Sequence, residues 1–182
     1  MRSFIRWAGS KRQLVKVLGQ YWPGDPAQYV EPFAGSASLF FELEPSQAVL
    51  GDLNWELISA LRAVRCDVQG VLECLGRLPT GKTAYYRIRE IDPRTLSEAE
   101  VAARFLYLNR YSFNGLYRTN LKGKFNVPYG PPKSKARMDQ ATLIRASRLL
   151  QNTALVHGDF EGTVAHARSG DLVPHSINTI TY

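Results

Sequence analysis

Two short segments carry the residue types that hold a nucleotide-containing cofactor. Residues 29–41 (YVEPFAGSASLFF) join an apolar run, a turn of small residues and a second apolar run. A strand that enters such a turn and then a helix places free backbone N–H groups beside a cofactor. Residues 48–52 (AVLGD) form a second apolar run that ends in a carboxylate. An acidic residue about 20 residues beyond a glycine turn holds a ribose hydroxyl in Rossmann-like sheets, so Asp52 is a candidate for that role.

A third segment has the composition of a surface that contacts nucleic acid. Residues 109–130 (NRYSFNGLYRTNLKGKFNVPYG) interleave aromatic rings, amides and basic side chains. Rings can stack on unpaired bases, cations can neutralise phosphates, and amides can pair with adenine edges. Lys122 and Gly123 suit a tight turn, which predicts a hairpin. An ordinary loop around a small aromatic core is the alternative interpretation.

Length, charge and cysteine content narrow the class of protein. The chain has 182 residues, enough for one domain or for one domain with a smaller insertion. Its net charge of +7 favours a polyanionic partner, with a generically basic surface as the alternative. No apolar run approaches the ~20 residues that span a bilayer, and no signal-peptide pattern is present, so we expect a cytoplasmic protein. Cysteines and histidines lack metal-ligand spacing, so we expect no metal, and Cys66 and Cys74 are predicted to be buried, reduced thiols.

The predicted elements alternate between strand and helix, which indicates an α/β fold. Residues 54–78 have helical periodicity and form either one long helix or two helices joined near Gly70, with Asn54 as the N-cap. Ser97 and Glu100 have the capping-box pattern that starts another helix. The remaining predicted helices cover residues near 14–18, 85–92, 139–151 and 161–168, and the later strands cover residues 154–157 and 171–173.

Together these segments resemble the Dam-like class of DNA adenine-N6 methyltransferases, which take their methyl group from S-adenosylmethionine. The resemblance covers roughly residues 4–173, and its three motifs occur in the family's order. They are residues 6–12 (RWAGSKR), 30–36 (VEPFAGS) and 109–118 (NRYSFNGLYR). The resemblance implies a Rossmann-like methyltransferase sheet, incomplete in this chain, with an inserted, mainly helical DNA-recognition segment that carries a β-hairpin. Residues 1–56 and 136–182 would form the cofactor-binding half, and residues 57–135 would recognise the DNA target.

The resemblance also implies roles for individual residues. Trp7 and Lys11 would border S-adenosylmethionine, with Lys11 near its carboxylate, and Asp52 would hold its ribose hydroxyls; from the residues alone, a core tryptophan with a solvated lysine is the alternative. The other cofactor-binding residues would be Phe33, Ala34, Gly35, Asp159 and Phe160. Double-stranded DNA would be bound by Arg110, Tyr111, Asn114, Tyr117, Arg118, Asn120, Lys122 and Lys124.

Two features depart from the family's pattern. The glycine turn, usually Gly-Ser-Gly, is Gly35-Ser36-Ala37 here, and an alanine suits that place if its φ angle stays negative. The family's catalytic Asp-Pro-Pro-Tyr motif, expected after the strand that contains Val173, does not occur in the sequence. That motif accepts the amino hydrogens of a flipped adenine and stacks on its ring. The sequence therefore predicts no catalytic residues and a truncated, frame-shifted or split enzyme.

The resulting prediction is a site-specific, adenine-specific DNA methyltransferase that is inactive alone. Two alternatives stay open. A noncatalytic DNA-binding module would bind duplex DNA with steep salt dependence and transfer no methyl group. One subunit of a split methyltransferase would act only with a complementing chain that carries Asp-Pro-Pro-Tyr. An NAD-binding protein fits less well because the turn lacks G-x-G-x-x-G.

Overall fold

The computed structural model describes residues 1–9, 27–131 and 139–174. It divides into two compact units. One unit, the sheet unit, comprises Met1–Ser3, Gly9–Ile58 and Leu149–Tyr182, and the other, the helical unit, comprises Phe4–Ala8 and Ser59–Arg148. Lys11 and the helix predicted near residues 14–18 lie outside the described residues.

The strands are β1 (Tyr29–Glu31), β2 (Ala48–Asp52) and β3 (Thr153–His157). The α-helices are α1 (Ser38–Leu43), α2 (Trp55–Cys66), α3 (Val68–Arg77), α4 (Lys82–Glu90), α5 (Glu98–Tyr111), α6 (Gln140–Leu149) and α7 (Phe160–Val164). Short 3₁₀ turns cover Pro93–Thr95 and Phe113–Gly115.

A parallel sheet with the order β1-β2-β3 forms the centre of the sheet unit. On the other edge of β1, the Val30 amide donates to the carbonyl of Leu172 (2.9 Å), and the Leu172 amide donates to Gln28 (3.0 Å). Residues 171–173, predicted as a fourth strand, thus form only an isolated parallel bridge beside β1. Residues 29–31 and 48–51 are buried, which matches the near-continuous apolar character of parallel strands. The mixed α/β architecture predicted from the sequence is confirmed.

Among the described residues, helix boundaries differ from the sequence prediction at the join between α2 and α3, at the start of α4, which is Lys82 and not residue 85, and at the end of α7. The Asn54 side chain accepts the Leu57 amide (3.0 Å), and the predicted capping box at Ser97 forms with both of its hydrogen bonds. The join between α2 and α3 falls at Asp67 and not near Gly70, because the Asp67 carboxylate accepts the Gly70 amide (2.9 Å) and so starts a new helix. The last helix, α7, ends at Val164, earlier than the predicted residue 168.

The two cysteines are free thiols, but they are not both buried. Cys66 is exposed at the end of α2, and Cys74 is partly buried in α3. The prediction of buried thiols is therefore wrong for Cys66, because the helix that contains it ends there and leaves its last residue at the surface.

The helical unit packs around α5, whose residues 101–109 are all buried. Arg104 of α5 is only 4% exposed and donates to the carbonyls of Ile88 (3.2 Å) and Arg89 (2.9 Å). A buried cation is therefore matched to the electronegative end of α4. An aromatic cluster on the neighbouring side of α5 combines Tyr85, Ile88, Tyr107, Leu108, Phe125 and Val127.

Candidate functional site

The turn after β1 is held by hydrogen bonds from its own amides. Ala34 donates to the Gly51 carbonyl (2.8 Å), Gly35 donates to the Asp52 carboxylate (2.9 Å), and Ala37 donates to Ala34 (2.6 Å). The prediction that this turn offers free N–H groups is therefore wrong for these three residues. The turn is instead a rigid bridge between β1 and β2. Gly35 has a φ of 49°, a conformation that glycine adopts without steric cost.

Ala37 has a φ of 48°, so the condition that its φ stays negative is not met. The residue is fully buried at the N-terminus of α1. A left-handed conformation costs an L-residue about 1–2 kcal/mol. The Ala37 amide donates to the Ala34 carbonyl, so the strained residue lies in the hydrogen-bonded turn that leads into α1.

Asp52 lies at the end of β2, and its two carboxylate oxygens each accept one backbone hydrogen bond. Oδ2 accepts the Gly35 amide and Oδ1 accepts the Asn54 amide, both at 2.9 Å. A carboxylate has about four acceptor positions, and Asp52 is only partly buried. Each oxygen therefore keeps an acceptor position, which fits a group with two adjacent hydroxyls such as a ribose.

Two exposed aromatic side chains stack on each other in the same unit as Asp52. Phe33 is 46% exposed and Phe160 is 49% exposed, and their ring centroids lie 5.9 Å apart at 24°. The structure thus brings together two predicted cofactor residues from distant parts of the sequence. Exposed apolar side chains that form one patch are typical of a binding surface.

Sequence reasoning missed two neighbours of this surface. Leu53 follows Asp52 directly and is 75% exposed, and its carbonyl lies 3.2 Å from His157 Nε2. His157 ends β3, in register with Asp52. An apolar residue directly after the acidic end of a strand, where a polar loop is usual, was the signal that could have identified Leu53.

The other predicted cofactor residues occupy different surroundings. Asp159 is exposed and caps α7 by accepting the Gly162 amide (3.0 Å). Trp7 belongs to the helical unit, where its ring stacks on Tyr117 with centroids 5.5 Å apart at 19°. Ala34 is buried in the turn.

The aromatic and basic segment forms a hairpin. Antiparallel bridges join Ser112 to Tyr129 and Thr119 to Phe125. The Asn120 side chain accepts the amides of Lys122 (3.0 Å) and Lys124 (3.1 Å), and Gly123 donates to the Asn120 carbonyl (2.9 Å). The predicted turn at Lys122 and Gly123 is confirmed, and it begins earlier, at Asn120.

The hairpin separates the predicted DNA-binding residues into two groups. Asn114, Arg118, Asn120, Lys122 and Lys124 are exposed, whereas Arg110, Tyr111 and Tyr117 are partly buried. Arg118 Nε donates to Asn126 Oδ1 (2.9 Å), which holds its guanidinium along the hairpin. Residues 101–131 contain no aspartate or glutamate, so this segment is uniformly basic. Leu121, which the sequence analysis passed over, is fully exposed at the tip.

A three-strand parallel sheet in a mixed α/β protein is consistent with a methyltransferase fold. The family model for D12 class N6 adenine-specific DNA methyltransferases matches residues 7–173. The chain therefore belongs to this family.

Named relatives agree with the family. The chain is 38% identical to the Type II methyltransferase M1.LlaDCHI of Lactococcus lactis subsp. cremoris, over 95% of this chain and 64% of the relative. It is 32% identical to the Type II methyltransferase M.MjaIII of Methanocaldococcus jannaschii, over 88% of this chain and 63% of that protein. It is 33% identical to the DNA adenine methylase of Escherichia coli strain K12, over 94% and 63% respectively. The chain thus spans less than two thirds of the length of each of these relatives.

The described residues lack both a membrane-spanning helix and a cluster of metal-ligating side chains. Within residues 1–9, 27–131 and 139–174, no helix has the length and apolar character needed to cross a membrane. Across the same ranges, no three His, Cys, Asp or Glu residues gather in a way that could hold a metal ion.

Proposed function

We propose that this chain takes part in the transfer of a methyl group from S-adenosylmethionine to N6 of adenine in DNA. The observation that carries the proposal is the Asp52 carboxylate, which joins two turns and lies in the same unit as the exposed Phe33–Phe160 pair. Family membership supplies the chemistry, and the carboxylate and the two exposed rings are the polar and apolar groups that a nucleoside needs. The relatives named as adenine methylases support the same assignment.

The cofactor fits the residues present. Asp52 would accept the ribose hydroxyls through the acceptor positions that its backbone partners leave. Phe33, Phe160 and Leu53 would cover the apolar faces of the adenine ring, with Asp159 at its edge. Ala34 and Gly35 would lie beneath the ribose and methionine. The family resemblance adds Trp7 and Lys11 to the cofactor-binding residues. When bound, S-adenosylmethionine supplies an electrophilic methyl group.

Double-stranded DNA would be bound by the helical unit. Lys122, Lys124 and Arg118 are exposed on a segment without acidic residues, so they suit phosphate groups. The exposed amide of Asn114 suits a base edge, since an asparagine amide can pair with adenine. Asn120 would contribute only its NH₂ group, because its oxygen already accepts the Lys122 and Lys124 amides. Residues 57–135 would then be the target-recognition segment and residues 1–56 and 136–182 the cofactor-binding half.

Transfer to N6 also needs acceptors for the hydrogens of the adenine amino group. In the family this task belongs to Asp-Pro-Pro-Tyr, a sequence that the 182 residues do not contain. The residues named above bind and orient the two reactants, which contributes through proximity. We assign no catalytic residue among them, and a complementing chain is one source of the acceptors.

Titration of the purified chain with S-adenosylmethionine by calorimetry tests the cofactor part of this proposal. We expect one binding site per chain, because Asp52 and the Phe33–Phe160 pair lie in the same unit. Labelled methyl transfer to mixed-sequence duplex DNA, measured in the same sample, tests the chemical step. Binding without transfer would support a complementing source of acceptor groups, and absence of binding would contradict the cofactor assignment.

Removal of charge from the hairpin tests the DNA part. In the Arg118→Ala/Lys122→Ala variant, we expect the slope of log K against log salt concentration to become shallower by about 1.8, because each phosphate contact contributes about 0.9. The measurement is fluorescence anisotropy with duplex DNA across a salt series. The matched control is Arg77→Ala, which removes an exposed cation paired with Glu73 on α3 and is expected to leave the slope unchanged. Equal slopes in the wild type and the double variant would place the phosphate contacts elsewhere.

A further inference from the structure

Two adjacent tyrosines of α4 hold the return strand of the hairpin. The Tyr85 hydroxyl donates to the Val127 carbonyl at 2.9 Å, and the Tyr86 hydroxyl accepts the Tyr129 amide at 3.4 Å. The Tyr85 ring also meets the Tyr129 ring edge to face, with centroids 5.5 Å apart. Tyr85 and Tyr86, which are adjacent in α4, thus both bind the backbone of residues 127–129.

The surroundings of the pair make these contacts rigid. Tyr85 is fully buried, and burial raises the pKa of its hydroxyl, which keeps the proton available for Val127. Arg89, one turn further along α4, lies over the Tyr86 ring at 4.8 Å and directs Nη1 towards the same Val127 carbonyl at 3.5 Å. Arg89 therefore restrains the Tyr86 ring and adds a second donor to Val127.

These contacts lie where they can determine the orientation of the exposed residues at the hairpin tip. The hairpin stem is paired at Ser112 and Tyr129, and the tip is closed by the Thr119–Phe125 bridge and the Asn120 turn. Val127 lies between the stem and the tip, on the strand that returns from Lys122 and Lys124. The hydrogen bonds of Tyr85 and Tyr86 to this strand therefore restrain the direction in which the tip projects.

We propose that Tyr85 and Tyr86 form a clamp that sets the orientation of the hairpin and thereby its discrimination between DNA sequences. This proposal rests on the proposed function of the hairpin as a DNA-binding element. Tyr85 and Tyr86 are positioning residues: they act through Val127 and Tyr129. Phosphate contacts tolerate a shift of the hairpin, whereas base contacts need geometry within about 0.5 Å. Loss of the clamp therefore reduces sequence discrimination more than it reduces overall affinity.

The chain offers a matched control for this proposal. Tyr107 belongs to the same cluster and is 3% exposed, and its ring lies 6.4 Å from Tyr85. Among the described residues its hydroxyl has no hydrogen-bond partner. Tyr107→Phe thus removes a buried hydroxyl from the same surroundings without removing a link to the hairpin.

The first experiment is amide hydrogen exchange of the free protein, in the Tyr85→Phe/Tyr86→Phe variant and in Tyr107→Phe. Loss of one buried hydrogen bond corresponds to about fivefold faster local opening. We expect the amides of Asn126 and Gly130 to exchange at least fivefold faster in the double variant and at the wild-type rate in Tyr107→Phe. The amides within α3 and α5 serve as an internal reference and are expected to stay protected in both.

The second experiment selects bound sequences from a random pool of duplex DNA. We expect the wild type and Tyr107→Phe to enrich the same motif, and the double variant to lose about tenfold in its preference for that motif over a scrambled duplex. The salt slope should not change, because the cations remain. Unchanged exchange in the hairpin, or faster exchange with unchanged preference, would overturn the clamp. If the wild type enriches no motif, DNA recognition by this unit is wrong and the role of the clamp fails with it, while the exchange rates still report separately whether the tyrosines hold the hairpin.

Discussion

Replacement of Asp52 by alanine is expected to weaken S-adenosylmethionine binding at least about 100-fold. Two hydrogen bonds from ribose hydroxyls to a charged acceptor are worth about 1.5–3 kcal/mol each, and about 1.4 kcal/mol corresponds to tenfold in affinity. The variant also frees the Gly35 and Asn54 amides that the carboxylate accepts. The turn after β1 thus loses its side-chain link to β2 but keeps the backbone hydrogen bond between the Ala34 amide and the Gly51 carbonyl. Calorimetric titration with the cofactor measures the effect.

Asp52→Asn is expected to weaken S-adenosylmethionine binding almost as much as Asp52→Ala does. This result would show that the site needs the carboxylate and not just any polar group. The two backbone N–H groups approach opposite oxygens of Asp52. An asparagine has one oxygen, so its NH₂ group would face one of these donors. The control is Asp67→Ala, which removes a carboxylate that caps α3 through the Gly70 amide and should leave cofactor affinity unchanged. Unchanged affinity in Asp52→Ala would remove Asp52 from the cofactor site.

The sequence predicts β2 well because this central parallel strand is buried on both faces. Residues 48–52 are apolar up to the terminal Asp52, and the observed strand has these same bounds. The break at Asp67 was harder to predict because the apolar periodicity continues through it. Only the contact of its carboxylate with the Gly70 amide reveals that one helix ends and another begins. Periodicity reports which face is buried, whereas a cap depends on one local hydrogen bond.

The sequence indicates candidate site residues by their type, whereas their contacts depend on the tertiary structure. Asp52 was identified from its place after an apolar strand, but its Gly35 partner depends on the parallel register of β1 and β2. The positive φ of Ala37 could not be expected from an alanine, because tertiary contacts impose it. On the hairpin, composition did not indicate that Tyr117 packs beneath Trp7 while Leu121 is exposed.

Gly51 shows how closely the sheet unit is packed around this site. A Cβ at Gly51 would lie 2.7 Å from Thr163 Cγ2 and 2.8 Å from Thr163 Cβ, with Oγ1 nearer still. Both residues are buried, and Thr163 belongs to α7, which packs against β2. The glycine before Asp52 is therefore required by the close approach of a helix. The φ angle of Gly51 does not require glycine. The residue must be glycine because Thr163 occupies the space that a Cβ atom would need.

Gly51→Ala is accordingly expected to lower the free energy of unfolding by about 3 kcal/mol, since an extra methyl in a packed core forces neighbours apart. Thr163→Ala in the same chain should recover most of this loss because it removes Oγ1 and Cγ2. Thr163→Ser should recover little of the lost unfolding free energy because serine keeps Oγ1, the atom nearest to the added methyl. Thr163→Ala alone should cost about 1 kcal/mol of packing, since among the described residues its hydroxyl has no hydrogen-bond partner to lose.

Urea denaturation of the four variants gives the interaction energy between the two positions, which we expect to be about 3 kcal/mol in favour of the Gly51→Ala/Thr163→Ala pair. The control is Gly76→Ala on α3, where an added Cβ meets no atom within 4 Å. That change should raise the free energy of unfolding by about 0.5–1 kcal/mol, because alanine favours a helix more than glycine does. Equal recovery by serine and alanine at Thr163 would mean that α7 moves as a whole to admit the methyl. The close approach of α7 to β2 would then not be what requires glycine beside Asp52.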